Sequence, residues 1–313
     1  MRIVFLGTAD FAVPSLYRLI MAGHDVALVV TQPDRPRGRG RRPGVSPVKE
    51  MAQRFGIPVY QPERIRAAEA VETICRVGAE VLVVVAYGQI LPRELLDCVP
   101  LGGINLHGSL LPAYRGAAPI QRAIMAGERV TGVTTMHMTE EMDAGDIILQ
   151  RQCAIGEDSY GELSQRLALL GADLLQETLD QLHWGTAPRV PQDASRATYA
   201  PPLQRGDERI DWRCPAREVV NRVRALSPTP GAVTRVGDSP LKILRARVVP
   251  GVTGRAPGEV VEVVPGEGFV VQAGDEAVLV LEVQPAGRRR MPAADYLRGH
   301  RLPPGTRLVA PAD

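Results

Sequence analysis

The sequence predicts an α/β fold in two parts, an N-terminal Rossmann-like parallel sheet followed by a small C-terminal β-barrel. Three observations carry this reading. The first half alternates short, uniformly apolar runs with helical patterns. A stretch rich in Pro, Ala and Arg over residues 185–204 ends that alternation. Beyond it, short β-type runs succeed one another with Pro/Gly turns between them. The expected organisation is a first domain over residues 1–186, a linker over 187–206 and a second domain over 207–313, since 313 residues suit two domains better than one.

Taken in order, residues 3–6 form an apolar strand ending at Gly7. Pro14 then opens a helix carrying Leu16, Leu19 and Ile20, which Gly23 closes. Residues 26–31 form the next strand, and its apolarity on both faces marks a buried parallel sheet. Helices are expected over 46–55 and 67–77, an extended segment over 57–60, and the most strongly buried strand over 81–86. A strand follows over 104–107, a helix over 118–125 closed by Gly127, a β-branched strand over 132–138 and a long amphipathic helix over 162–182. After the linker come one helix, 215–226, and strands over 241–249, 258–264, 268–272 and 277–283. The loop after the first strand reads Gly7-Thr8-Ala9-Asp10-Phe11. It lacks the G-x-G-x-x-G fingerprint, so no nucleotide cofactor is expected.

Hydrophobic residues make up 45% and charged residues 23%, which places the chain with globular proteins. The N-terminal apolar run is too short for a signal peptide, and no stretch reaches the roughly 20 apolar residues of a membrane span. Cys75, Cys98, Cys153 and Cys214 lie far apart and are expected to be reduced thiols of a cytoplasmic protein. The five histidines show no ligand spacing, so no metal is expected. Charge is uneven. Residues 203–313 carry 17 basic against 13 acidic side chains, a balance of +4, whereas residues 1–202 balance at −2. Arg35, Arg37, Arg39, Arg41 and Arg42 crowd into eight positions, and Arg288, Arg289 and Arg290 form a second cluster. Each cluster suits either a solvated face or contact with nucleic-acid phosphates. Only 4% of residues are aromatic, which favours backbone over base recognition.

The segment Asn105-Leu106-His107-Gly108-Ser109-Leu110-Leu111-Pro112 bears the chemistry. Asn105 and His107 are two apart at a strand end and share one side of it. They suit either a buried polar pair or a pair of donors to an oxyanion. The turn after the strand 132–138 contributes Glu140, Glu141, Asp143 and Asp146. These are either a solvated cluster or, through Asp143, the group that orients His107 and relays a proton. Ser109 near His107 admits a hydrolase, but the G-x-S-x-G elbow is missing.

These segments together resemble the methionyl-tRNA formyltransferase family, one of the 10-formyltetrahydrofolate-dependent transferases, over nearly the whole chain. The likeness rests on Gly7-Thr8-Ala9-Asp10-Phe11, Thr31-Gln32-Pro33-Asp34-Arg35-Pro36, Val84-Val85-Ala86-Tyr87-Gly88, the Asn105 to Gly116 segment, Met142-Asp143-Ala144-Gly145-Asp146-Ile147 and Gln284-Pro285-Ala286-Gly287-Arg288-Arg289-Arg290-Met291. The resemblance implies a formyltransferase domain and an OB-like barrel, with Asn105, His107 and Asp143 as catalytic residues. It implies a folate site built by Tyr87, Gly88, Gln89, Ile90 and Leu91, by Ser109, Leu110, Leu111 and Pro112, and by Met138 and Glu140. It implies transfer of a formyl group from 10-formyltetrahydrofolate to the α-amine of methionyl initiator tRNA. The tRNA contacts would come from Arg35, Arg37, Arg39, Arg41, Arg42, Arg288, Arg289 and Arg290, with Arg39 where the family places an important arginine. A cytoplasmic monomer that binds neither DNA nor membranes is expected. A sugar-nucleotide N-formyltransferase, a formyltetrahydrofolate hydrolase and a non-catalytic RNA-binding protein on the same core are the alternatives. The first would not need the basic stretch at 35–42.

Overall fold

The computed structural model describes residues 1–37, 42–252 and 254–310. The chain divides into two compact units. One comprises Met1–Pro119, Val130–Ala154 and Ser164–Pro201; the other comprises Ile120–Arg129, Ile155–Leu163 and Pro202–Asp313.

The first unit opens with β1 (Arg2–Gly7), α1 (Val13–Met21) and β2 (Asp25–Val30). Pro14 lies in the first turn of α1, and Gly23 leaves the helix at φ +81°, a conformation glycine adopts without a Cβ penalty. A two-stranded ribbon of β3 (Arg35–Arg37) and β4 (Arg42–Gly44) precedes α2 (Pro47–Arg54), whose N-cap Ser46 accepts from the Lys49 amide. Next come β5 (Val59–Tyr60), α3 (Ala68–Cys75), β6 (Val81–Val85), α4 (Arg93–Asp97), β7 (Gly103–His107), β8 (Val130–His137), β9 (Ile147–Ala154) and most of α6 (Tyr160–His183), while α5 (Pro119–Met125), which falls between β7 and β8 in the chain, belongs to the second unit from Ile120 onward. The sheet order is β5-β2-β1-β6-β7-β8-β9. The strands from β5 to β7 are parallel, whereas β8 runs against them and pairs antiparallel with both β7 and β9. β9 carries no strand signal in the sequence because three consecutive polar residues, Gln150, Arg151 and Gln152, interrupt its apolar pattern, as an edge strand allows. α4 carries no helix signal because five residues are too few to show a helical period. α6 lies over the sheet. Leu106 of β7 fills the space left by Gly171, and the hydroxyls of Thr135 and Thr178 bond at 2.7 Å.

One expectation is overturned. Cys75 and Cys98 form a disulfide with their Cα atoms 5.8 Å apart, leaving Cys153 and Cys214 as the free thiols. A separation of 23 residues carries no pairing signal; the pairing follows from α3 and α4 ending beside one another.

The second unit adds α7 (Ala216–Leu226), β10 (Ala232–Val236), β11 (Ser239–Val249), β12 (Val260–Val264), β13 (Gly268–Gln272), β14 (Ala277–Pro285), β15 (Met291–Pro292), α8 (Ala293–Gly299) and β16 (Leu308–Val309). The strands pair antiparallel in the order β12-β13-β14-β11-β10-β16, with β15 on β14. The two edges meet: Val260 donates to Thr306 O, and Leu308 donates to Gly258 O at 2.7 Å. Gly258 sits at φ +85°, and a Cβ there would stand 2.3 Å from Leu308 O, so the closure requires glycine. The interior holds Phe269, Val271, Val278 and Val280 against Val219, Val220 and Val223 of α7, and Trp212 donates to Thr234 Oγ1 at 3.0 Å. Among the described residues, no helix is long and apolar enough to cross a membrane.

Phe269 has no exposed surface, so Phe269→Ala is expected to destabilise the second unit by about 3–5 kcal/mol, read from the urea midpoint. His24 and His137 titrate below their ordinary value. Burial is the main cause for both, reinforced by the N-terminal amine at His24 and by Arg189 at His137. The unfolded chain therefore binds more protons than the folded one, and stability is lost as pH falls below about 6.5. Urea midpoints should drop between about pH 7.5 and about pH 5.5, less steeply in His137→Leu.

Candidate active site

β7 is the last parallel strand and pairs on its other side with antiparallel β8. Its side chains alternate. Ile104 and Leu106 are buried on one face, and Asn105 and His107 share the other. The carboxyl end of such a strand is where open α/β sheets bind ligands.

The turn between β8 and β9 brings Asp143 to this pair. One carboxylate oxygen, Oδ2, accepts from the Gly116 amide at 2.8 Å and lies 3.6 Å from His107 Nδ1. The other, Oδ1, lies 3.5 Å from Asn105 Nδ2. His107 Nε2 is 2.9 Å from the carbonyl oxygen of Tyr114; a carbonyl can only accept, so Nε2 carries the hydrogen. The His107 and Asp143 side chains are only 7% and 13% exposed, which strengthens their interaction relative to water. Among the described residues, the non-glycine positions with positive φ are Ala86 (46°), Tyr114 (60°) and Asp143 (52°). Ala86 follows β6, Tyr114 touches the His107 ring and Asp143 faces both polar side chains. Left-handed backbone of this kind costs of order 1 kcal/mol or more per residue and collects at functional sites.

Asn105, His107 and Asp143 are therefore brought together as the sequence suggested. Ser109 is not a nucleophile for His107. Its hydroxyl is fully buried and donates to Ala113 O at 2.6 Å. The loop it opens is fastened to β8 and β9: Leu111 N donates to Thr134 Oγ1, and Gln150 Nε2 donates to Leu111 O. Leu111 is buried, whereas Leu110 and Pro112 are half-buried. On the loop after β6, the Tyr87 and Leu91 side chains pack into the core. Burial pushes the Tyr87 hydroxyl up to about 12, and its carbonyl accepts from Thr8 Oγ1 and Gln32 Nε2. Gln89 is engaged with the Ile65 amide and the Glu63 carbonyl, and Gly88 and Ile90 face outward. Met138 packs beside Gly103, and Glu140 is exposed. The 87–91 and 109–112 loops occupy neighbouring strand ends of one sheet, whereas Met138 donates to Gly103 O at the start of β7, on the sheet's opposite edge.

The arginine clusters are placed less completely. Arg35, Arg37 and Arg42 belong to the β3–β4 ribbon, and Arg39 and Arg41 lie outside the described residues. Arg288, Arg289 and Arg290 are exposed beyond β14 in the second unit, with Arg290 Nε 3.8 Å from Glu282. Among the described residues, no group of three His, Cys, Asp or Glu side chains converges as metal ligands would.

Two residues of the site carried no site assignment from the sequence. Arg115 is buried, with its guanidinium on Gln192 Oε1 and 3.8 Å from Glu141. Gln192 comes from the segment expected to be a linker, and its Nε2 donates to the carbonyls of both Asp143 and Gly145 at 2.8 Å. A solitary glutamine 49 positions from its partner leaves no local signature.

The formyl transferase family matches residues 1–179, and its C-terminal domain matches residues 202–301. A methionyl-tRNA formyltransferase of Symbiobacterium thermophilum is 52% identical over 99% of this chain and 96% of its own. That of Moorella thermoacetica is 53% identical over 97% of this chain and 98% of its own. Among solved structures, HypX from Aquifex aeolicus in complex with tetrahydrofolic acid superposes with a TM-score of 0.65 at 20% identity, covering 95% of this chain and 47% of that one. An N-formyltransferase from Helicobacter canadensis, in complex with folinic acid and dTDP-3-aminofucose, gives 0.64 at 17% identity, covering 89% and 98%. These two likenesses concern the fold. The family match and the full-length relatives decide membership: this chain belongs to the methionyl-tRNA formyltransferase family.

Proposed function

We propose that this enzyme transfers the formyl group of 10-formyltetrahydrofolate to the α-amine of methionyl initiator tRNA, as a monomer in the cytoplasm. The observation that carries the reading is the convergence of Asn105, His107 and Asp143 in a chain about half identical, over nearly its whole length, to proteins bearing that name. Residues 1–186 supply the catalytic domain, 187–206 the linker and 207–313 the tRNA-binding barrel. The loops at 87–91 and 109–112, with Met138 and Glu140, hold the folate. The arginines at 35–42 and 288–290 meet the tRNA phosphates.

The chemistry needs little from the protein beyond placement. An α-amine has a reference pKa of about 7.7–8.0, so a useful fraction is neutral near pH 7 and attacks without a strong base. The new C–N bond forms at the formyl carbon, and negative charge develops on its oxygen. Asn105 Nδ2 donates to that oxygen, and so does His107 Nε2–H when it turns from the Tyr114 carbonyl to the formyl oxygen; donors matter most where such charge develops. Asp143 holds His107 and relays the proton lost by the amine towards the departing folate nitrogen. Ser109, tied to its own loop, forms no acyl intermediate.

Formylation measured with initiator and elongator methionyl-tRNA, and with an amino-sugar nucleotide, tests the acceptor. Turnover should be restricted to the charged initiator tRNA; turnover of the sugar nucleotide alone overturns the reading. Asn105→Ala and His107→Ala should each lower kcat by roughly 10²–10³, with the thermal midpoint nearly unchanged. Raising salt should increase KM for the tRNA steeply and KM for the folate little, as phosphate contacts require.

A further inference from the structure

We infer that Gln192 is a positioning residue for the formyl-transfer reaction, holding the Asp143 turn in the conformation that aims its carboxylate at His107 and Asn105. The inference rests on the function proposed above and adds a residue to its machinery. Asp143 stands at φ +52°, in the left-handed region that few non-glycine residues occupy. Its side chain is already spent on Gly116, with His107 and Asn105 nearby, so the backbone must be held by something else. Gln192 Nε2 does this with both hydrogens, one to Asp143 O and one to Gly145 O. Two carbonyls of one tight turn are thereby drawn to a single amide. The turn runs so close to β8 that a Cβ at Gly145 would stand 1.8 Å from His137 O, so the position requires glycine.

The other end of the same amide is equally engaged. Gln192 Oε1 accepts from Arg115 Nε at 3.2 Å and Nη2 at 2.8 Å. Arg115 precedes Gly116, whose amide grips the Asp143 carboxylate. A closed ring results, running from the Asp143 carbonyl through Gln192 and Arg115 to Gly116 and back to the Asp143 carboxylate. Every polar atom of the glutamine amide is used, so the ring has one arrangement. All its members lie within the first unit. A residue that only fastened the 187–201 segment to the sheet would have no need to reach the two carbonyls flanking the catalytic turn.

The discriminating variant is Gln192→Glu. It keeps the acceptors for Arg115 and has no N–H for the Asp143 and Gly145 carbonyls. It should lower kcat by at least about tenfold, the scale of a small misplacement of a catalytic group, with KM for folate and for tRNA each within about threefold of wild type. In an Asp143→Ala background the same substitution should change the residual rate by less than about twofold, because its effect passes through Asp143. An unchanged kcat overturns the inference, as does a full tenfold further loss in the Asp143→Ala background. Gln192→Ala is measured in parallel, and if neither variant unfolds cooperatively the residue is structural and the inference fails. Wild-type turnover in the Asp143→Ala enzyme itself would instead remove the proposed reaction mechanism, so the two failures are separable.

Discussion

The N–H of Gly116 on the Asp143 carboxylate is the contact on which the strand-end chemistry depends. A carboxylate without a fixed donor swings about its side-chain torsions; with one oxygen anchored, the remaining lone pairs face His107 and Asn105 by default. The direction of that N–H is set by the packing of residues 198–200 against 115–118. Arg115 donates to Thr198 O, Ala200 donates to Arg115 O, and Ala118 donates to Ala200 O. Gly116 itself sits at φ +125°, with Ala200 O where its Cβ would be, so no other residue could bring the two backbones so close. Segments more than 80 residues apart in sequence thus cooperate to present one hydrogen.

The same economy explains why the site tolerates buried charge. The Arg115 guanidinium is nearly inaccessible, and an unpaired cation there would be costly. It is matched mainly by a neutral amide oxygen, with Glu141 at longer range. Because the amide belongs to Gln192, satisfying the cation and ordering the catalytic turn are one event. Ala86, Tyr114 and Asp143 hold left-handed backbone around it, so the rigid sheet beneath must absorb that strain.

How much of this was visible in the sequence differs from residue to residue. Strands β1, β2, β6 and β7 announce themselves as apolar runs because both faces are buried. Asn105 and His107 are legible as a pair because a strand has period two. Asp143 is harder. Four acids share its turn, and what singles it out is a left-handed backbone and the pull of Gln192, neither of which is written locally. β9 and the Cys75–Cys98 bridge were hidden for related reasons. An edge strand needs no apolar alternation, and a disulfide depends on where two helices end. Gln192 illustrates the limit most sharply: a Pro-rich stretch reads as a connector by composition, although Val190, Gln192, Thr198 and Ala200 in it are bonded to the sheet and the site.

The two units are not consecutive in the chain. Residues 120–129 and 155–163 belong with the unit whose remainder begins at residue 202. Ile120, Ile124 and Leu163 end up almost wholly buried. On the ribosome these apolar side chains emerge well before the rest of their unit has been made. The nascent chain therefore passes through a stage in which the first sheet can pair while the unit to which these excursions belong is still incomplete, and it is there, rather than at any exposed edge of the finished fold, that chaperone capture or misassembly competes with folding.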